Sequence, residues 1–182
     1  MVAILLAGCS QPHSPTAAAP ASATPAAVAS ASATPTAPSG PVIPFGKKDL
    51  YQALERAPEL ELLSIDPAYG PGTPVIEPQF MGFNVLGVAV LKGPEKAALI
   101  ESFKKGIDTK SDTMEAACFD PHHGLRCRVD GRQVQAIICY HCLQVYAEIA
   151  GNKSELKLLT TAEPDDAFRA AVKAHHLPVK EF

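Results

Sequence analysis

Four cysteines and three histidines crowd into two segments of the chain, ACFDPHHGLRC and ICYHC. They are Cys118, Cys127, Cys139 and Cys142, interleaved with His122, His123 and His141. Thiols and imidazoles are the side chains that form disulfides, bind zinc and carry out thiol exchange. The fifth cysteine, Cys9, is expected to be lipidated in an exported protein, as argued below. The even number that remains is typical of a disulfide framework in an exported domain, so all four are disulfide candidates. Four cysteines allow three pairings, and the sequence does not choose among them.

A metal site is the second interpretation of the same residues. The spacing Cys139-x-x-Cys142 is that of one half of a zinc site, and Cys118 with His122 or His123 could complete four ligands. Zinc ribbons usually repeat the Cys-x-x-Cys pair, whereas this chain has one such pair. We therefore expect no cofactor, with zinc as the alternative.

Thiol redox chemistry at Cys139 and Cys142 is the third interpretation. A redox pair of this kind gains a low thiol pKa at the N-terminus of a helix. Here the pair lies between two strand-like segments, and residues three apart on an uninterrupted strand point to opposite faces. A turn or bulge must intervene before the two sulfurs can meet.

The two cysteine segments resemble a family of uncharacterised bacterial proteins. Residues 118–126, CFDPHHGLR, and residues 138–145, ICYHCLQV, are similar to its Cys-Phe-x-Pro-Arg-His-Gly stretch and its Cys-Phe-x-Cys strand. The resemblance covers most of residues 59–179. His122 stands where the family pattern has Arg, Tyr140 stands where it has Phe, and Cys127 is an addition.

The resemblance implies that three of the cysteines and one histidine recur in the family. These are Cys118, Cys139 and Cys142 together with His123, a set that would suit a Cys₃His metal site. It implies no reaction.

The surrounding sequence predicts an α+β domain from residue 45 to 182. Helices are predicted over Asp49–Arg56, from Pro94 to Gly106, and over Pro164–His175. Strands are predicted over Glu59–Ile65, Phe80–Leu91, Leu125–Val129, Gln133–Cys139, Leu143–Ile149 and Leu156–Leu159, with a hairpin turn at Asp130-Gly131. The fold class is a small, mainly antiparallel sheet with two or three flanking helices.

The N-terminus reads as a bacterial lipoprotein signal. Leu6-Ala7-Gly8-Cys9 resembles a lipobox, which predicts cleavage after residue 8 and lipidation of Cys9 with acyl chains such as palmitate. A signal peptide usually has a basic start and an apolar core of roughly 7 to 15 residues. No Lys or Arg precedes Cys9, so residues 1–8 read as a truncated signal peptide, and we expect the precursor to begin upstream.

Residues 9–44 follow as a predicted tether. From residue 10 to 44 the chain has no Asp, Glu, Lys or Arg and consists mainly of Ala, Pro, Ser and Thr. Such a segment lacks the large apolar side chains needed to offset the entropy of ordering, so a disordered linker is expected.

Charge and motif content argue against several classes of function. The net charge of −3 comes with no basic stripe, which argues against nucleic acid as a partner. We find no catalytic triad pattern, no phosphate-binding glycine loop and no suggestive acidic pair. The sequence thus predicts a lipid-anchored periplasmic domain with a non-catalytic binding role in the cell envelope, its partners being the membrane and a candidate envelope protein. A Cys/His metal-binding lipoprotein and a thiol redox protein are the alternatives.

Overall fold

Three helices and seven strands make up the part of the chain that the structure describes. A computed structural model describes residues 44–68, 74–110, 118–152 and 154–180. The helices are α1 (Lys47–Arg56), α2 (Gly93–Asp108) and α3 (Asp165–Ala174). The strands are β1 (Leu60–Ile65), β2 (Gln79–Phe80), β3 (Phe83–Leu91), β4 (His123–Val129), β5 (Arg132–Cys139), β6 (Gln144–Ile149) and β7 (Glu155–Leu159).

The strands form one sheet in the order β2-β3-β1-β4-β5-β6-β7, and every neighbouring pair is antiparallel. The predicted α+β class, with a mainly antiparallel sheet and flanking helices, is confirmed. The predicted signal peptide, and the predicted linker up to residue 43, lie outside the described residues. None of the helices in the described ranges is long and apolar enough to cross a membrane.

The main core lies between the helices and one face of the sheet. Leu50 and Leu54 of α1, Phe103 of α2 and Phe168 of α3 are buried against strand residues such as Leu125. This burial follows from the apolar side chains on one face of each helix, because an amphipathic helix must have that face covered by another element.

A smaller core covers part of the opposite face of the sheet. Phe80 of β2 is buried there with Leu63, Ile65 and Ile137. Gly124 makes this packing feasible, because a Cβ at that position would lie 2.7 Å from Cε1 of Phe80. The glycine therefore marks a close approach of an aromatic ring to the strand.

Two predicted boundaries were wrong, one because of a local turn and the other because of a contact with a distant segment. The strand expected over Phe80–Leu91 is broken into β2 and β3 by a tight turn in which Met81 and Gly82 have positive φ angles of 48° and 87°. Helix α2 does not end at Gly106 but continues to Asp108. A Cβ at Gly106 would lie 2.7 Å from Oγ1 of Thr160 and closer still to Pro164, so this glycine serves helix contact rather than termination.

The hairpin between β4 and β5 turns where the sequence predicted. Asp130 and Gly131 have φ angles of 50° and 73°, and Val129 pairs with Arg132. Two consecutive positive φ angles are what a two-residue turn with the twist of the strands requires. This hairpin fixes the register that places His123 opposite Ile138, next to the cysteine pair.

Candidate functional site

Cys139 and Cys142 form a disulfide with a Cα–Cα distance of 5.2 Å. Cys139 ends β5, and residues 140–143 form a turn in which Leu143 has a positive φ of 58°. This is the turn that two cysteines three residues apart need before their sulfurs can meet. Both residues are at most 1% exposed, so the bond is enclosed by protein.

The other two cysteines of the domain are free thiols. Cys118 is exposed, whereas Cys127 is buried on β4 with its Sγ 3.7 Å from the carbonyl oxygen of Ala53. Burial raises the pKa of Cys127 to about 11. One of the two disulfides predicted from the cysteine count is therefore present.

The residues predicted as a metal site are not arranged as ligands. Cys139 and Cys142 are bonded to each other, Cys118 is an exposed free thiol, and His123 points its Nε2 at Asp165. Within the described parts of the chain, no group of three or more His, Cys, Asp or Glu side chains could hold a metal ion. The donor set does not fit a bound zinc ion in this form.

Hydrogen bonds attach the loop before β4 to the disulfide. The backbone N–H of Asp120 donates to Sγ of Cys142 at 3.3 Å, and that of Cys142 donates to Sγ of Cys139 at 2.9 Å. Nδ1 of His122 donates to the carbonyl oxygen of Asp120 at 3.0 Å. The disulfide thus fixes the loop at Asp120, which leads directly into His122 and His123.

His123 sits in an aromatic cluster beneath α3. Its ring centroid lies 5.4 Å from that of Phe168 and 5.9 Å from that of Tyr140, the residue after Cys139. Tyr140 is 5% exposed, and burial raises the pKa of its hydroxyl well above the usual range. Among the described residues, neither the Tyr140 hydroxyl nor Nδ1 of His123 has a hydrogen-bond partner.

Asp165 links His123 to α3. Its Oδ1 lies 3.4 Å from Nε2 of His123, and its Oδ2 accepts a hydrogen bond from Nε of Arg169 at 2.6 Å. The hydrogen bond with His123 and the adjacent Arg169 hold the pKa of Asp165 below its usual value. Burial lowers the pKa of the neighbouring His122.

Next to this cluster a cavity of about 710 Å³ opens between the start of β4, α3 and the segment that follows α3. We call it the α3 cleft. Its lining residues are His122, His123, Arg169, Val172, Lys173, His176, Leu177, Val179 and Lys180.

The residues after α3 are fixed in place over the sheet. The hydroxyl of Ser64 on β1 donates to the carbonyl oxygen of Pro178, and Nζ of Lys180 lies 2.7 Å from the buried carboxylate of Asp66. A Cβ at Gly87 would lie 3.0 Å from Cδ of Pro178. The wall formed by residues 177–180 is therefore held by contacts with the end of β1 and the middle of β3.

Sequence reasoning found His122, His123 and the cysteine pair but missed the side of the cleft contributed by α3. Arg169 and Lys173 are four residues apart, a spacing that places them on one helix face. That spacing was the only signal available, and it does not tell which surface the helix faces.

Comparison of the chain with models of protein families, with characterised proteins and with solved structures found no match. The site is therefore interpreted from its own geometry. It combines a cavity, buried aromatic rings and several basic side chains, and this combination suits binding and orientation of a ligand.

Proposed function

We propose that the chain is a cell-envelope lipoprotein, anchored through Cys9, whose folded domain binds an envelope component in the α3 cleft without catalysing a reaction. The observation that carries the binding role is the cleft itself. Its volume of about 710 Å³ lies within the roughly 300–1,000 Å³ common for ligand sites. Such sites usually combine apolar walls with placed polar groups, and here three apolar side chains stand beside basic ones.

The disulfide supports the proposed compartment. Disulfides persist in oxidising environments such as the periplasm and are rare in the bacterial cytosol. Cys139 and Cys142 are bonded and buried. A lipid on Cys9 would keep this domain close to a membrane, with residues 10–44 as the tether.

Fatty-acid labelling tests the anchor. Cells that express the complete gene are grown with an alkyne-tagged palmitate, and the protein is isolated from membrane and soluble fractions. We expect label and membrane location for the wild type and loss of both for Cys9→Ala. Cys118→Ala is the matched control, because it removes an exposed thiol of the folded domain and should leave labelling unchanged. A wild-type protein that is unlabelled and soluble would contradict the proposal.

Thiol redox activity is a second candidate, favoured by the disulfide within Cys139-x-x-Cys142. The burial of both sulfurs argues against it, because exchange needs access for an attacking thiolate. An insulin-reduction assay with dithiothreitol decides between the two: turnover that Cys139→Ser abolishes would favour the redox candidate. We expect no turnover above the rate without protein.

A further inference from the structure

The lining of the α3 cleft indicates the class of its ligand. Six of its nine residues carry side-chain nitrogen, and none of the nine is Asp or Glu. The remaining three are Val172, Leu177 and Val179, which give the cleft an apolar wall. A basic surface beside an apolar one is suited to a molecule that has an anionic group and a hydrocarbon part.

Carboxylates outside the lining neutralise two of the basic side chains. Asp165 pairs with Arg169, and Asp66 pairs with Lys180 at 2.7 Å. Lys173 differs, because it is exposed on α3 and makes no ion pair within the described parts of the chain. Its charge is thus available to a ligand.

His123 provides a second, independent sign of a ligand. Its side chain is 3% exposed, and it lines the cleft although Nε2 is engaged with Asp165. Its Nδ1 has no hydrogen-bond partner among the described residues. Buried polar atoms are almost always hydrogen-bonded, so Nδ1 lacks a partner that it would be expected to have. Since Nε2 faces Asp165, Nδ1 is an acceptor in the neutral ring and a donor in the imidazolium, and the imidazolium is the form that would donate to an anionic oxygen.

We propose that the α3 cleft binds an amphiphilic anion, with a carboxylate or phosphate group near Lys173 and His123 and a hydrocarbon part against Leu177 and Val179. This inference rests on the binding role proposed above and adds the chemical class of the ligand. We place the hydrocarbon part there because Val179 is 55% exposed at the edge of the cleft, and the hydrocarbon part of the ligand would cover it.

Calorimetric titration of the full chain carrying Cys9→Ser tests the charge preference. The probes are dodecanoate, dodecyl phosphate, dodecanol and dodecyltrimethylammonium below their micelle concentrations, with acetate and inorganic phosphate as anions without a hydrocarbon part. We expect saturable one-to-one binding of dodecanoate and dodecyl phosphate. The neutral and cationic amphiphiles, and the two short anions, should bind at least roughly tenfold more weakly, because each lacks one of the two complementary parts.

Variants of Lys173 connect the binding to the cleft. An exposed ion pair contributes up to about fivefold in affinity, and a reversed charge adds repulsion, so Lys173→Glu should weaken dodecanoate binding by about tenfold. Lys173→Arg should retain binding within about twofold. Lys48→Glu is the matched control, because Lys48 is an exposed lysine on α1, away from the cleft lining, and should leave the affinity unchanged.

Vesicles separate the two sources of such an anion. Sedimentation of the same Cys9→Ser chain with phosphatidylglycerol vesicles, blocked by dodecanoate and absent with phosphatidylcholine, would assign the site to a lipid headgroup. Binding of soluble dodecanoate without vesicle binding would assign it to a free amphiphile. Either result supports the inference.

Two results would overturn it. If dodecanol binds as tightly as dodecanoate and Lys173→Glu has no effect, the cleft is a ligand site without anion preference, and the proposed binding role stands. If no amphiphile binds, the ligand class is wrong. The lipoprotein assignment is judged separately by the labelling of Cys9.

Discussion

Removal of the Cys139–Cys142 disulfide should destabilise the domain measurably but not unfold it. The two cysteines are 3 positions apart, so the loop they close is very short. The chain-entropy estimate for such a loop is about 2 kcal/mol, against about 3 kcal/mol for a 15-residue loop. In the double variant Cys139→Ala/Cys142→Ala, the N–H groups of Asp120 and Cys142 also lose their sulfur acceptors, which adds about 1 kcal/mol.

The expected loss is therefore about 3 kcal/mol in the free energy of unfolding, a large part of the stability of a typical domain. Urea denaturation followed by circular dichroism measures it as a lower midpoint at unchanged slope. Cys118→Ala is the control, because this exposed thiol has no disulfide and should change stability by less than about 0.5 kcal/mol. A double variant as stable as the wild type, or a Cys118→Ala variant equally destabilised, would refute the assignment of the disulfide.

Three further predictions follow from single contacts. Gly106→Ala should destabilise the domain by about 1–3 kcal/mol, because the added Cβ would collide with Pro164. Alanine favours helices, so a variant that is more stable in thermal unfolding would contradict this packing. The pKa of Asp165 is below its unfolded value of 3.8, so its stabilising effect is present above that pH and is lost as the pH falls through the folded pKa. Asp165→Asn should therefore flatten the loss of stability below about pH 4, and an unchanged acid profile would argue against the ion pair. Iodoacetamide at pH 8 should label Cys118 in the native Cys9→Ser chain, whereas Cys127 is buried with a pKa of about 11 and should react only after denaturation. Mass spectrometry counts the adducts, and rapid labelling of both thiols would place Cys127 at the surface.

Local sequence patterns were sufficient for most of the fold. The Asp130-Gly131 turn predicted a hairpin and residues 164–175 predicted a helix, and the structure contains both. The break at Met81 was not predicted, because residues 80–91 are apolar apart from Asn84 and two glycines, and such a segment is typical of one buried strand. Gly106 was misread as a helix end, since its role depends on Pro164, far away along the chain.

Some residues of the candidate site could likewise be predicted from the sequence, and others could not. The cysteine pair and His123 could be found because cysteine and histidine are unusual at such density. Their contacts with Asp165 and Phe168 could not, because these depend on how α3 packs across the sheet, which no local pattern specifies. The four-residue spacing of Arg169 and Lys173 predicts that they share a helix face, but it does not predict the cleft beside that face.

Chemical-shift mapping tests the central claim, that the α3 cleft is the binding site of this domain, most directly. Two-dimensional ¹H–¹⁵N spectra of the Cys9→Ser chain are recorded during titration with dodecanoate. We predict saturable shifts confined to residues 122–123 and 169–180, with the hairpin turn at Asp130-Gly131 unaffected. Saturable shifts centred elsewhere would contradict the account.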